Sequence, residues 1–191
     1  MADTDPEIQS YELVGRFLKQ VCDLEEKLNE AIAGVLGIDD TRRFILCANI
    51  QFRNKLNILK SFLHTSTLVG ADKELFNADL TKMGNLYDSR NTLAHQYFKP
   101  APNGDGIVFA MVHVKGGAAP QETPWTKADF ETKRAALEEL TATAVRLQNA
   151  LINSTFTIVL EEWHYQGADT PLPMRNITSP ALWDSQSRQP R

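Results

Sequence analysis

Apolar residues recur three or four positions apart through the start of the chain: Tyr11, Val14, Leu18, Val21, Leu24, Leu28, Ile32 and Val35. That spacing places them on one helical face and predicts a helix over residues 6–36, ended by Gly34 and Gly37. A second helix is expected to follow the capping cluster Asp39-Asp40-Thr41 and to run to about residue 63. Its apolar face would carry Phe44, Ile45, Ala48, Phe52, Leu56 and Leu59. Asp72 is expected to cap a third helix running to about 95–98, where Lys99-Pro100-Ala101-Pro102 stops it. The pattern then turns β-branched and apolar over 107–114, which reads as a strand, with Lys115-Gly116-Gly117 as its turn. Residues 121–125 would return as an edge strand, because Pro120 and Pro124 cannot donate to a ladder. Thr126 and Asp129 have the spacing of a capping box, opening a long helix over about 127–162.

Proline supports this division. Residues 7–99 and 125–170 contain none, so those two stretches are where helices can run uninterrupted. The predicted fold is mainly α: an up-and-down helical bundle with a β-hairpin, about 106–125, inserted before its last long helix. A single domain over 1–165 would be followed by a proline-containing, loosely ordered tail over 166–191.

Composition narrows the class. The chain has 191 residues, 42% of them hydrophobic and 23% charged, which suits one globular domain and excludes disordered, collagen-like and disulfide-scaffold chains. Its apolar runs are too short for a bilayer and its first six residues are acidic and polar, so a cytoplasmic protein with no membrane partner is expected. Cys22 and Cys47 form no CxxC, and the four histidines complete no zinc spacing, so neither a metal nor any other cofactor is expected. A formal net charge of −4 excludes an overall cationic coat for nucleic acid but leaves room for a local basic groove.

Two departures from the burial pattern point to chemistry. On the third helix, Phe76, Leu80, Met83, Leu86, Tyr87, Leu93 and Ala94 all fall within roughly 80° of Arg90, at about 100° per residue. A permanently charged guanidinium in an apolar row must meet a carboxylate, a carbonyl cluster or a ligand. Glu12, Asp23, Glu26 and Glu30 of the first helix are the candidates for a structural ion pair. Asn91 and His95, four apart, share a face at the edge of the row. The second departure is that residues 41–71 contain no Asp or Glu but do contain Arg42, Arg43, Arg53, Lys55 and Lys60. On one continuous helix Arg42, Arg53 and Lys60 would form a basic stripe, either a phosphate-binding surface or a solvated face opposite acidic helix 1. Lys55 falls on the apolar side and must snorkel or find a partner. His64, His113 and His164 read as isolated, and no phosphate-cradling glycine loop, GxSxG, HExxH or kinase signature is present.

The string Arg90-Asn91-Thr92-Leu93-Ala94-His95 resembles the RxxxxH motif of the HEPN superfamily, with Asn91 as the polar residue after the arginine. With Gln96-Tyr97 it is also similar to the RxxxxHxY form of HEPN toxins paired with nucleotidyltransferase antitoxins. The inserted hairpin and the tail depart from the minimal toxin and suggest another branch. The resemblance implies an α-helical bundle, and a metal-independent endoribonuclease whose two motifs meet in a homodimer cleft, in a toxin or phage-defence setting. It implies RNA as substrate, an antitoxin or nucleotidyltransferase as partner, and catalytic roles for Arg90, Asn91 and His95. Arg42, Arg53, Lys55 and Lys60 would track the RNA backbone. Tyr97 would be either a modification site or a ring closing the helix end. Two other readings stay open: a non-catalytic HEPN-like dimerisation or protein-interaction module, and a helical nucleotide-binding protein.

Overall fold

The structure, a computed structural model, describes residues 5–111 and 121–155. Among these, five helices and one small sheet follow in the order α1 (Pro6–Leu36), α2 (Asp40–Ala48), α3 (Phe52–Thr65), α4 (Ala71–His95), β1 (Phe98–Pro100), β2 (Ile107–Met111), β3 (Gln121–Trp125) and α5 (Lys127–Ile152). The molecule is mainly helical, as its apolar periodicity predicts.

The first helix starts and stops where its caps dictate. The Asp5 carboxylate accepts from the Glu7 N–H with Pro6 at the first turn, and Gly37 closes the other end at φ 63°. Gly34 has a different task from the stop expected of it. It lies inside α1, where a Cβ would come within 2.9 Å of Ile152 Cδ1 and 3.0 Å of Gln148 Nε2 on α5. α1 and α5 therefore approach closely there.

Contacts fix the helix directions. Gln20 meets Glu138, Glu30 meets Gln148 and Gly34 meets Ile152, each pair 118 positions apart, so α1 and α5 run parallel. Between α3 and α4 the pairs are Phe52–Tyr87, Arg53–Asp88, Leu56–Gly84 and Lys60–Thr81, so these two run antiparallel. α4 ends beside the start of α1, where Phe98 meets Tyr11 edge to face at 5.9 Å. α4 thus runs against α1, α3 and α5, and α2 is a short return between α1 and α3. Phe17, Leu24, Leu28 and Ile32 of α1 fill the core with Leu59 and Leu63 of α3, Leu80 and Met83 of α4, and Phe130, Leu137 and Leu147 of α5. Removing such surfaces from water is the main stabilising term, at about 1.5–3 kcal/mol per large side chain.

The sheet is antiparallel in the order β1-β2-β3, with Phe98 opposite Phe109 and Ile107 opposite Trp125. It has three strands where a hairpin was expected. Pro100 and Pro124 both sit on edge strands, where a missing donor costs least. Gly106 is required by close approach: its φ is 96°, and a Cβ would lie 2.0 Å from the Trp125 carbonyl oxygen. One face is anchored by rings. Phe109 meets Trp125 at 5.2 Å, Trp125 meets Phe130 at 5.6 Å, and Phe17 meets both Trp125 and Phe130.

Three helix boundaries differ from the sequence pattern. The helix expected over about 41–63 is two helices, interrupted at Asn49-Ile50-Gln51. The Asn49 side chain donates to the Ile45 carbonyl at 2.9 Å and its backbone caps α2, the local competition by which Asn ends helices. α4 starts at Ala71 after Gly70, and Asp72 lies in its first turn rather than capping it. The capping box at Thr126 and Asp129 is present, but α5 ends at Ile152, capped by Asn153, short of residue 162. The expectations for 112–117, including His113, and for the tail over 166–191 lie outside the described residues, as does His164.

Candidate functional site

The last two turns of α4 carry the motif. α3 begins at Phe52, whose ring stacks on Tyr87 at 4.1 Å with only 2° between planes. α4 continues for two more turns beyond that level, to His95. The row that is buried at Leu80 and Met83 therefore emerges at Arg90, which is half-buried, and at Ala94, which is exposed. The placement of Ala94 differs from the sequence expectation for this reason. Leu93, on the other flank of the row, stays buried and holds the helix end to the core.

Among the described residues Arg90 has no ion-pair partner. Its guanidinium lies 5.6 Å from the centre of the Tyr87 ring, and Nη1 donates to Asn91 Oδ1 at 3.3 Å. The four acids of α1 that could have neutralised it are engaged elsewhere. Glu12 pairs with Arg16, Asp23 with Lys19 at 2.7 Å, Glu26 with Arg43, and Glu30 with Lys27 at 2.7 Å. The structural ion pair for Arg90 is therefore absent among the described residues, and a half-buried cation faces outward beside Tyr87.

His95 is the last residue of α4 and is exposed; Asn91 is half-buried one turn before it. The helix is regular to His95, so the two ends of the motif stand about 7.5 Å apart along the axis and about 140° apart around it. One protomer does not close Arg90 and His95 on a single atom. Tyr97 follows on the extended segment into β1 and is exposed. Tyr11 is exposed nearby, and its phenol is raised above the ordinary tyrosine range by the hydrogen bond to the Glu7 carboxylate, with smaller contributions from the Glu7 charge, burial and Tyr97.

Sequence reasoning missed one neighbour of this site. The Lys133 ammonium sits 4.5 Å from the centre of the Trp125 ring and 3.3 Å from Ser89 Oγ, the residue before Arg90. A second cation thus stands behind the α4 end. Nothing in the spacing of α5 signals it, because the contact depends on how the sheet seats Trp125.

The basic stripe does not survive the interruption at residues 49–51. Arg42 is on α2, beside Asp39 at 3.4 Å, in a different helix from the others. Arg53 and Lys60 do share a face of α3, but that face borders α4: Arg53 pairs with Asp88 at 2.6 Å and Lys60 donates to Thr81 at 3.3 Å. Lys55 is buried, 3% exposed, with its ammonium 2.6 Å from a Glu25 carboxylate oxygen. It found the partner its apolar position required and cannot reach an RNA backbone.

Lys55 and Glu25 line a concavity of about 260 Å³ between α1, α2 and the start of α3, together with Asn29, Arg43, Cys47 and Ile50. Its charges neutralise one another. The Glu26 carboxyl is held below the usual range first by the Asn29 side-chain hydrogen bond and then by Arg43, while burial raises the Cys47 thiol. Nothing in that arrangement recruits an anion. Among the described residues no cluster of His, Cys, Asp and Glu could hold a metal ion, and no helix is long and apolar enough to cross a membrane.

Compared with protein-family models, with curated proteins and with solved structures, the chain finds no match.

Proposed function

We propose that this protein is a HEPN-type, metal-independent endoribonuclease acting at a homodimer cleft, in a toxin or phage-defence setting. The observation that carries the reading is the state of Arg90: a half-buried guanidinium in line with the core row, with no carboxylate partner among the described residues, oriented by Asn91 and Tyr87. A partly exposed guanidinium oriented in this way keeps donors available to an anionic ligand.

The residue types match phosphodiester transesterification. The RNA 2′-hydroxyl oxygen attacks the adjacent phosphorus, the bond from phosphorus to the 5′-oxygen breaks, and the products carry a 2′,3′-cyclic phosphate and a 5′-hydroxyl. Arg90 grips two non-bridging oxygens and stabilises the charge that grows on them. The exposed His95 imidazole accepts the 2′-hydroxyl proton or protonates the leaving 5′-oxygen. Because Arg90 and His95 diverge on one helix, this reading needs a composite site to which two copies of α4 contribute across a twofold axis.

The test is incubation of mixed RNA with the purified protein in EDTA, beside Arg90→Ala and His95→Ala. Cleavage by the wild type, lost by at least a hundred-fold in both folded variants, is the expected result. Cleavage that EDTA abolishes, or that both variants retain, overturns the proposal. A second reading, a non-catalytic dimerisation or protein-interaction module of the same superfamily, is favoured by one observation: the outward apolar residues of α2. A stable, folded protein that self-associates and cuts no RNA supports it.

A further inference from the structure

The concavity between α1, α2 and α3 carries more hydrogen-bonding capacity than its own residues use. Its charges close on one another, Glu25 with Lys55 at 2.6 Å and Glu26 with Arg43. What these pairs leave over is uneven. The Lys55 ammonium has three N–H groups, and among the described residues only Glu25 accepts from it. Arg43 spends Nη1 on Glu26 and turns Nη2 to Asp40 at 3.2 Å, while its buried Nε has no partner there. Asn29 donates through Nδ2 to Glu26 Oε2 at 3.1 Å, and its buried Oδ1 has no partner either. An ionised carboxylate only accepts, so Glu26 fixes that amide with its oxygen turned away. The wall therefore offers three unspent donors, two on Lys55 and one on Arg43, against one unspent acceptor on Asn29. Asn29 and Arg43 are held by the same carboxylate, which keeps their unspent atoms within reach of one small molecule.

These groups select the chemistry of an occupant. Two acids and two bases leave the lining without net charge, which favours an uncharged ligand over a phosphate. An occupant that satisfies the wall presents acceptors in excess around one N–H donor. That is the edge of a uracil ring, two carbonyl oxygens flanking one N–H; adenine and cytosine carry an amino group instead, and guanine sets two donor groups beside one carbonyl. Cys47 and Ile50 supply apolar lining, and Phe44 a flat ring. The volume of about 260 Å³ lies just below the roughly 300 Å³ at which small-molecule sites begin, a size for one base or nucleoside. Asn29 Oδ1 and Arg43 Nε are shut off from water, so a ligand reaches them as the lining relaxes; Phe44, 76% exposed, is the lining residue freest to move.

We infer that this concavity is a binding site for a uracil base, whose N–H donates to Asn29 Oδ1 and whose carbonyl oxygens accept from Lys55 and from Arg43 Nε. The inference stands apart from the nuclease reading, because neither Arg90 nor His95 lines the concavity. The base arrives either as free uridine or as a nucleotide of an RNA chain.

The experiment is calorimetric titration of the full chain with uridine, 3-methyluridine, cytidine and adenosine. Uridine is expected to bind with a Kd of about 1 mM or tighter. Methylating its N–H, or replacing it by cytidine or adenosine, should weaken binding about ten-fold. Asn29→Ala, and Arg43→Lys, which keeps a cation for Glu26 but has no Nε, should each weaken uridine by a similar factor with helical circular dichroism unchanged. Iodoacetamide alkylation read by peptide mass places the ligand: uridine should slow modification of Cys47, on the lining, and leave exposed Cys22 as it was. No binding of uridine at about 10 mM, equal binding of 3-methyluridine, or unaltered alkylation of Cys47 overturns the inference. Competition separates the two sources: a tetrauridylate that displaces uridine assigns the site to RNA, one that leaves it bound assigns it to the free nucleoside, and the uracil site stands in both cases. Uridine binding by a chain that cuts no RNA removes the nuclease alone, and RNA cleavage without uridine binding removes this site alone.

Discussion

Removing the carboxylate partner of Lys55 should cost this protein far more than removing Lys55 itself. The ammonium is almost wholly buried, and its contact with Glu25 is 2.6 Å. At an effective dielectric of about 20, two unit charges at that distance attract by about 6 kcal/mol. Desolvating the ammonium offsets several kcal/mol of this. Glu25, one-third exposed, loses less. Glu25→Gln leaves a buried cation facing a neutral amide, and the expected loss is about 2–4 kcal/mol, below the range for a sealed pair because Glu25 keeps access to water. Lys55→Met removes the charge, fills nearly the same volume between Cys47 and Ile50, and leaves Glu25 partly hydrated; the expected cost is about 1 kcal/mol or less. Urea unfolding followed by helical circular dichroism reads both, as shifts in midpoint at constant slope. Equal costs for the two variants, or a larger cost for Lys55→Met, would refute this account of the pair.

Two other predictions concern the sheet end of the molecule. Gly106→Ala should destabilise by about 3 kcal/mol or more, because the added Cβ collides with backbone at Trp125 in a left-handed conformation; calorimetric melting checks it. The Asp129 carboxyl is held below its ordinary range by the backbone and then the side-chain hydrogen bonds with Thr126. Its folded-state pKa is therefore the lower one, so its contribution is complete above the unfolded carboxylate pKa and is lost as pH falls through the folded value. Thr126→Ala should cost about 1 kcal/mol at neutral pH and lose less further stability on acidification than the wild type, as measured by urea midpoints between pH 7 and pH 3.

α1 was legible because its apolar spacing is unbroken and its ends carry strong signals, Asp5-Pro6 and Gly37. The break after Ala48 was not, because Asn49-Ile50-Gln51 contains neither proline nor glycine, and the only signal is an amide that caps its own helix. The outward turn of Phe44 and Ile45, which the sequence pattern places on a buried face but which are exposed, was hidden for a different reason. The spacing of Phe44, Ile45 and Ala48 is that of a buried face, and only Glu26, seventeen positions earlier, decides that Arg43 takes the inside. β1 is three residues with a proline, too short to carry an alternation. At the site, the anomaly of Arg90 could be read from a helical wheel. Its release from ion pairing could not, since that required knowing where four separate acids of α1 find their cations.

The parallel course of α1 and α5 also sets the order in which the chain can be finished. α1 is completed by a helix made after α2, α3 and α4, so Phe17, Leu24, Leu28 and Ile32 await part of their partners for more than a hundred residues. Closing that distance is slow relative to sequential helix pairing. A nascent chain stalled before residue 127 would leave bare the flank of the α1 apolar stripe that α5 covers, a surface that chaperones and aggregation compete for.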